Sequence, residues 1–93
     1  MRFAWDSRTA RANSRKHGVS FEEAAECFAD PLALILVDVA HDDRLILIGE
    51  SPRRRLMFVV YVEILEKDDL VRIVSARKAT LAERRRYEEA DET

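Results

Sequence analysis

The sequence is short of nearly everything that would make its chemistry obvious. Its 93 residues hold one cysteine, so no internal disulfide can form, and a reducing compartment, simplest of all the cytoplasm, is the expected setting. Cys27 falls within an amphipathic helical pattern, where burial as a small apolar side chain outweighs nucleophilic work. Two glycines and two prolines leave no glycine-rich phosphate loop, low-complexity tract or linker. No G-x-S-x-G elbow occurs, and the two histidines, His17 and His41, stand far apart and in no H-x-x-x-H pattern. Nucleotide hydrolysis, serine-type acyl transfer and zinc chemistry therefore have no motif behind them, and no cofactor or metal is expected. Apolar runs stop well short of the roughly 20 residues of a membrane span, so no membrane partner is expected. The N-terminal stretch MRFAWDSRTARANSRKHG is basic but has no apolar h-region, and no signal peptide is expected there.

What is present is charge and apolar pattern. Hydrophobic residues make up 47% and charged residues 37%, the composition of a folded chain whose length fits one domain, residues 1–93, around one core. The net charge of -2 conceals blocks of alternating sign: residues 1–20 carry +4, 21–50 carry -7, 51–86 carry +5 and 87–93 carry -4. Such blocks predict a basic face and an acidic face, although each charge taken singly is a solvated surface group.

The apolar spacing gives an order of elements. Phe3 and Trp5 alternate with polar neighbours in a short strand, and Asp6 caps a helix over about 7–17 that ends at Gly18. Ser20 and Glu23 form an S-x-x-E capping box for a second helix, FEEAAECFA, which Asp30-Pro31 closes. Four strand-like runs follow, at 32–39, 44–50, 55–65 and 70–77, with loops too short for parallel crossovers. Thr80 and Glu83 cap a terminal helix at about 81–90. The expected class is α+β, a mostly antiparallel sheet with two N-terminal helices and one C-terminal helix, the helices covering one face. Strand 55–65 is apolar on both sides and reads as central, with Val60 in the core. The uncovered side is expected near Tyr61. On the last strand Ser75 and Arg77 share a face, and Arg72 points the other way.

WDSRTARANSRKHGVSFEEAAECFADPLAL, then a strand pair carrying Gly49, then RIVSARKAT and ERRRYEE, resemble in that order the BrnT family of bacterial ribonuclease toxins from type II toxin–antitoxin systems, whose fold is similar to RelE. The resemblance runs from about Phe3 to Glu89. The turn EILEKDD is longer and more acidic than expected of that family, and HDDR at 41–44 falls in a variable region. The resemblance implies an endoribonuclease neutralised by a BrnA-like ribbon-helix-helix antitoxin, with operator DNA bound only through the complex.

Metal-free RNA cleavage needs a base for the 2′-hydroxyl, stabilisation of the phosphorane charge and an acid for the 5′-oxygen. The candidate catalytic residues are Arg77, Glu83, Tyr87 and His17. The candidate RNA-binding residues are Lys16, Arg53, Arg54, Arg55, Tyr61, Arg72, Lys78 and Arg84. Arginines clamp phosphate bidentately, lysines track the backbone and tyrosines stack bases. Each has a structural alternative: Arg84–Glu88 and Arg85–Glu89 as helix-supporting pairs, Glu83 as a capping residue, His17 as a cation at a helix C-terminus, Tyr61 as core. A non-catalytic module binding protein or nucleic acid is the other function class. The basic groups are expected to attract a carboxylate-bearing antitoxin segment as readily as RNA; the opposite possibility is an antitoxin that grips the other face.

Overall fold

The computed structural model describes residues 1–91. Strand β1 (Arg2–Ala4) leads into helix α1 (Ser7–His17) and helix α2 (Phe21–Glu26), which tightens into a 3₁₀ turn over Cys27–Ala29. Strands β2 (Leu34–Val37), β3 (Leu45–Glu50), β4 (Leu56–Glu63) and β5 (Leu70–Lys78) follow, then helix α3 (Leu81–Asp91). They form one sheet in the order β1-β5-β4-β3-β2. The four consecutive strands pair antiparallel, as their short loops require, and only β1, separated from β5 by most of the chain, pairs parallel. The α+β class and the element order match the expectation. Strand β2 is shorter than the apolar run 32–39 that announced it.

The helix ends obey the chemistry of their caps. The Asp6 carboxylate accepts from the amides of Arg8 and Thr9 at 2.8 and 3.1 Å. Gly18, with φ 70°, takes the left-handed conformation that closes α1 and donates its N–H to the Ser14 carbonyl at 2.8 Å. The other glycine serves a different need. A Cβ on Gly49 would lie 2.9 Å from both the Cys27 carbonyl oxygen and Leu47 Cδ2, so only glycine lets the 3₁₀ turn approach β3 this closely.

Helices α1 and α2 cover one face of the sheet. Val19, Phe21, Ala24 and Cys27 pack there against Leu47, Met57, Val59, Tyr61 and Ile73, all at most 4% exposed. Phe28 meets Phe3 and Tyr61 edge-on, with centroids 5.0 and 4.9 Å apart. The covered side of β4 is therefore Met57–Val59–Tyr61. This corrects the expectation of an open side near Tyr61: that ring is core, and Val60 lies on the opposite, partly exposed face. Both sets of alternate residues are apolar, so the pattern alone did not reveal which one the helices would cover.

A second correction concerns β5. Val60 pairs with Ser75 but Tyr61 pairs with Ile73, which inserts one extra residue into β5. The bulge shifts the alternation, so the buried positions run Val71, Ile73, Ala76. Arg72, Ser75 and Arg77 consequently all face away from the α1–α2 core. Third, the helices do not share one face. Arg77 bonds to Glu83 of α3 on the side opposite the α1–α2 core, and α3 contacts β3. Ile48, fully buried yet outside the α1–α2 core, lies on that same side.

β1 shields the edge of β5 only at Leu70, Val71 and Arg72. Further along, the buried Asn13 side chain substitutes for a strand: its Nδ2 donates to the Ala76 carbonyl at 2.8 Å and its Oδ1 accepts from the Ala76 N–H at 3.2 Å. This clamp fixes α1 along β5.

Candidate nucleic-acid interface and catalytic site

α1 runs beside β5 in the same direction, with Asp6 in the electrostatic reach of Arg72 and Asn13 bonded to Ala76. Its last residues, Lys16 and His17, therefore fall at the end of the sheet where β5 finishes. Lys78 pairs there with Met57, at the start of β4, and the β3–β4 turn bearing Arg53, Arg54 and Arg55 stands beside it. Arg77 and the first turn of α3, with Glu83 and Arg84, complete the group. One end of the sheet thus gathers most of the basic residues singled out from the sequence.

The β3–β4 turn is held by a carboxylate from α2. Glu23, 4% exposed, accepts from Arg55 Nε at 2.8 Å on Oε2 and from Arg55 Nη2 on Oε1. The Ser51 hydroxyl donates to Oε2 at 2.7 Å, and Arg53 Nη1 stands 3.8 Å from Oε1. The hydrogen bond from Arg55, opposed by burial and assisted by Ser51, lowers the Glu23 pKa to about 2. The expected capping box is only half formed. The Ser20 hydroxyl accepts from the Glu23 N–H at 3.1 Å, while the Glu23 side chain turns inward to the arginine. Arg55 is thereby committed to Glu23, whereas Arg53, with its side chain 74% exposed, projects to solvent.

Arg54 occupies a left-handed conformation with φ 66°. Its N–H donates to the Ser51 carbonyl at 2.9 Å, and the Ser51 N–H donates to the Arg55 carbonyl at 3.0 Å. This three-residue hairpin loop, Pro52-Arg53-Arg54, normally carries glycine at its last position. An arginine there costs about 1 kcal/mol of backbone strain and presents a charge at the tip.

The Glu23 network has a pH signature. A carboxylate whose folded pKa lies below its ordinary 4.5 adds stability above that value and loses it as pH falls toward about 2. Acid titration of the thermal midpoint should show a steep decline between about pH 4.5 and 2 in the parent chain. In Glu23→Gln the midpoint should start lower at neutral pH and decline less over that interval. Parallel curves for the two proteins would exclude the network as the cause.

Arg77 is held in a second pair. Its Nη1 and Nη2 donate to the two Glu83 oxygens at 2.8 and 2.9 Å, and its guanidinium carbon sits 4.0 Å above the Phe58 ring centroid. Here the capping box is complete: Glu83 Oε1 accepts from the Thr80 N–H at 2.8 Å, and the Thr80 hydroxyl accepts from the Glu83 N–H at 3.2 Å. The Arg77 hydrogen bond is the main cause that holds the Glu83 carboxyl below its usual range. Tyr87, one turn further on, donates its hydroxyl to Asp30 Oδ2 at 2.6 Å and ties α3 to the loop before β2. Burial opposes ionisation of Asp30, but the bonds from Tyr87 and the amides of Glu50 and Leu32 outweigh it and lower the pKa.

Two candidates stand apart from this group. Tyr61 is in the core, 4% exposed, where no base can stack on it. Arg72 lies at the other end of β5, roughly 16 Å from Arg77 by strand rise, in a cleft lined by Asp6, Thr9, Asp43 and Arg44. Sequence reasoning missed the Glu23–Ser51–Arg55 network. Its signal was Glu23 lying next to Ala24 and four residues before Cys27, on the buried side of α2. The Cys27 thiol, pushed up to about 12 chiefly by burial, is inert, as its place in the helix suggested.

The chain is thus a small α+β protein, a mixed five-stranded sheet with a basic end built from α1, the β3–β4 turn and the β5–α3 junction. The sequence model of the family described as "Ribonuclease toxin, BrnT, of type II toxin-antitoxin system" matches residues 5–83, and the chain belongs to that family. Among solved structures it is similar to the Brucella abortus ribonuclease toxin BrnT, with a TM-score of 0.69 at 23% identity over 86% of this chain and 97% of that one. This likeness shows the fold. No curated protein matches the chain significantly.

Proposed function

We propose that this chain is an endoribonuclease that cuts RNA at the basic end of its sheet. The supporting observation is the gathering of Lys16, His17, Arg53, Arg54, Arg77, Lys78 and Arg84 around one end of the sheet, with Arg53 and Arg54 thrust outward by a turn that Glu23 anchors. The exposed cations hold successive phosphates. A base removes the 2′-hydroxyl proton, that oxygen attacks the adjacent phosphorus, and the bond to the 5′-oxygen breaks as it receives a proton. The products are a 2′,3′-cyclic phosphate and a 5′-hydroxyl.

Glu23 and Glu83 are poor proton acceptors at neutral pH, because each is held ionised by an arginine. His17, at the end of α1, is the imidazole of this group, a side chain that can both take up and release a proton. In this reading Arg77 stabilises the phosphorane, and Glu83 orients it and yields one of its two bonds to the phosphate. Tyr87 positions α3 through Asp30. A BrnA-like ribbon-helix-helix antitoxin silences the enzyme in the cytoplasm, and operator DNA is bound only through that complex. The pairing of Arg77 with Glu83 also suits a non-catalytic binding module, so the deciding experiment is chemical. Purified protein incubated with single-stranded RNA in EDTA should yield fragments with 2′,3′-cyclic phosphate and 5′-hydroxyl ends. Intact RNA would favour the binding module, and cutting that returns only with an added divalent ion would overturn the side-chain mechanism.

A further inference from the structure

The two edges of the sheet are unequal. β1 is three residues long and begins with Arg2, both devices that discourage edge pairing. β2, the other edge, reads Leu-Ile-Leu-Val with no charge, proline or bulge. The large hydrophobic side chains left exposed concentrate here: Leu32 at 48%, Ile35 at 57%, Val37 at 68% and Val39 at 96%. On the α1–α2 side the helices stop short of β2. They leave an apolar groove of about 310 Å³ between Phe28, Ile35, Leu47, Tyr61 and Val71. Asp30 and Glu63 also line it. Residues 30–43 contain four aspartates and no lysine or arginine.

We infer that β2 is the docking edge for the antitoxin, which adds an extended segment beside Leu34–Val37, seats alternate apolar side chains in the groove, and carries lysine or arginine at the segment's ends. The free backbone groups of β2 supply the ladder, the groove selects side chains, and the aspartates select charge. A second copy of this chain fits the edge poorly, because pairing β2 with β2 brings two sets of aspartates together. This inference rests on the toxin–antitoxin reading above and departs from the expectation that the antitoxin covers the basic residues. Antitoxin and RNA then bind at separate places, so inhibition acts through the added chain's reach or through the position of the sheet's elements rather than through competition for arginines.

The test uses the purified antitoxin encoded with this chain. Ile35→Lys/Val37→Lys should weaken its binding at least a hundredfold while leaving the thermal midpoint unchanged, since both side chains are exposed. Asp42→Lys/Asp43→Lys should weaken it about tenfold and flatten its dependence on salt. Hydrogen exchange should show new protection at residues 34–37 in the complex. Equal binding by parent and Ile35→Lys/Val37→Lys would overturn the docking edge while leaving the toxin reading intact. Loss of binding on charge reversal at Arg53 and Arg54 alone would do the same. A parent chain that self-associates, and that Ile35→Lys renders monomeric, would assign the edge to a second copy. Complete absence of antitoxin binding to the parent chain would overturn the toxin–antitoxin reading and the docking edge together.

Discussion

Val59→Asp should leave the chain unfolded, and Val60→Asp should fold. Val59 is 0% exposed beneath the helices, so an aspartate there must either ionise without a partner in the core or remain neutral with its oxygens unbonded. Either outcome costs several kcal/mol, against a total stability of about 5–15 kcal/mol for a domain of this size. Val60, one residue on, faces the partly open side and pairs with Ser75. An aspartate there reaches water and loses only part of one side chain's burial, about 1–2 kcal/mol. Urea melts followed by far-ultraviolet circular dichroism decide the matter. Similar midpoints for the two variants would show that the helices do not cover the Val59 face as described.

Arg77→Ala should slow RNA cleavage by roughly a hundredfold or more, the usual consequence of removing one donor from a developing oxyanion. The residue does two things at once. It stacks on Phe58 with its plane fixed by Glu83, and at 35% side-chain exposure it remains open to an approaching phosphate. Glu83→Gln separates those roles: the guanidinium stays while its orienting carboxylate becomes neutral. That variant should lower kcat with little change in KM, because a misaimed arginine still attracts RNA. Arg77→Lys should not restore the rate, since an ammonium offers no planar fork. If all three variants cut RNA as the parent does, Arg77 and Glu83 are a helix cap and nothing more.

Much of the fold was legible in the chain. Asp6, Ser20 and Thr80 announced three helix starts because side-chain caps are local chemistry, decided within four residues. The four β-rich runs and their short loops dictated antiparallel pairing for the same reason. What stayed hidden was settled at a distance. Strand β4 is apolar on both sides, so nothing in LMFVVYVE says that Met57, Val59 and Tyr61 face the helices. The bulge opposite Val60 and Tyr61 leaves no mark in VRIVSAR, yet it turns Arg72 and Arg77 to the same side. Glu23 looked like the second half of a capping box. Its true partner, Arg55, lies 32 residues away and is brought to it only when the β3–β4 turn folds over α2. The basic residues themselves were visible; their division into one cluster and a distant Arg72 was not, because it depends on strand length and on the direction of α1.

That division offers the sharpest comparison. Rates of RNA cleavage should be measured for the parent chain, for Arg53→Ala/Arg54→Ala/Lys78→Ala at the basic end, and for Arg72→Ala at the far end of β5, all at one salt concentration. The triple variant should lose at least tenfold in kcat/KM and show a shallower decline with added salt, as three phosphate contacts disappear. Arg72→Ala should cut RNA as the parent does. A triple variant that retains full activity, or an Arg72→Ala variant that loses it, would place the RNA site away from the basic end of the sheet.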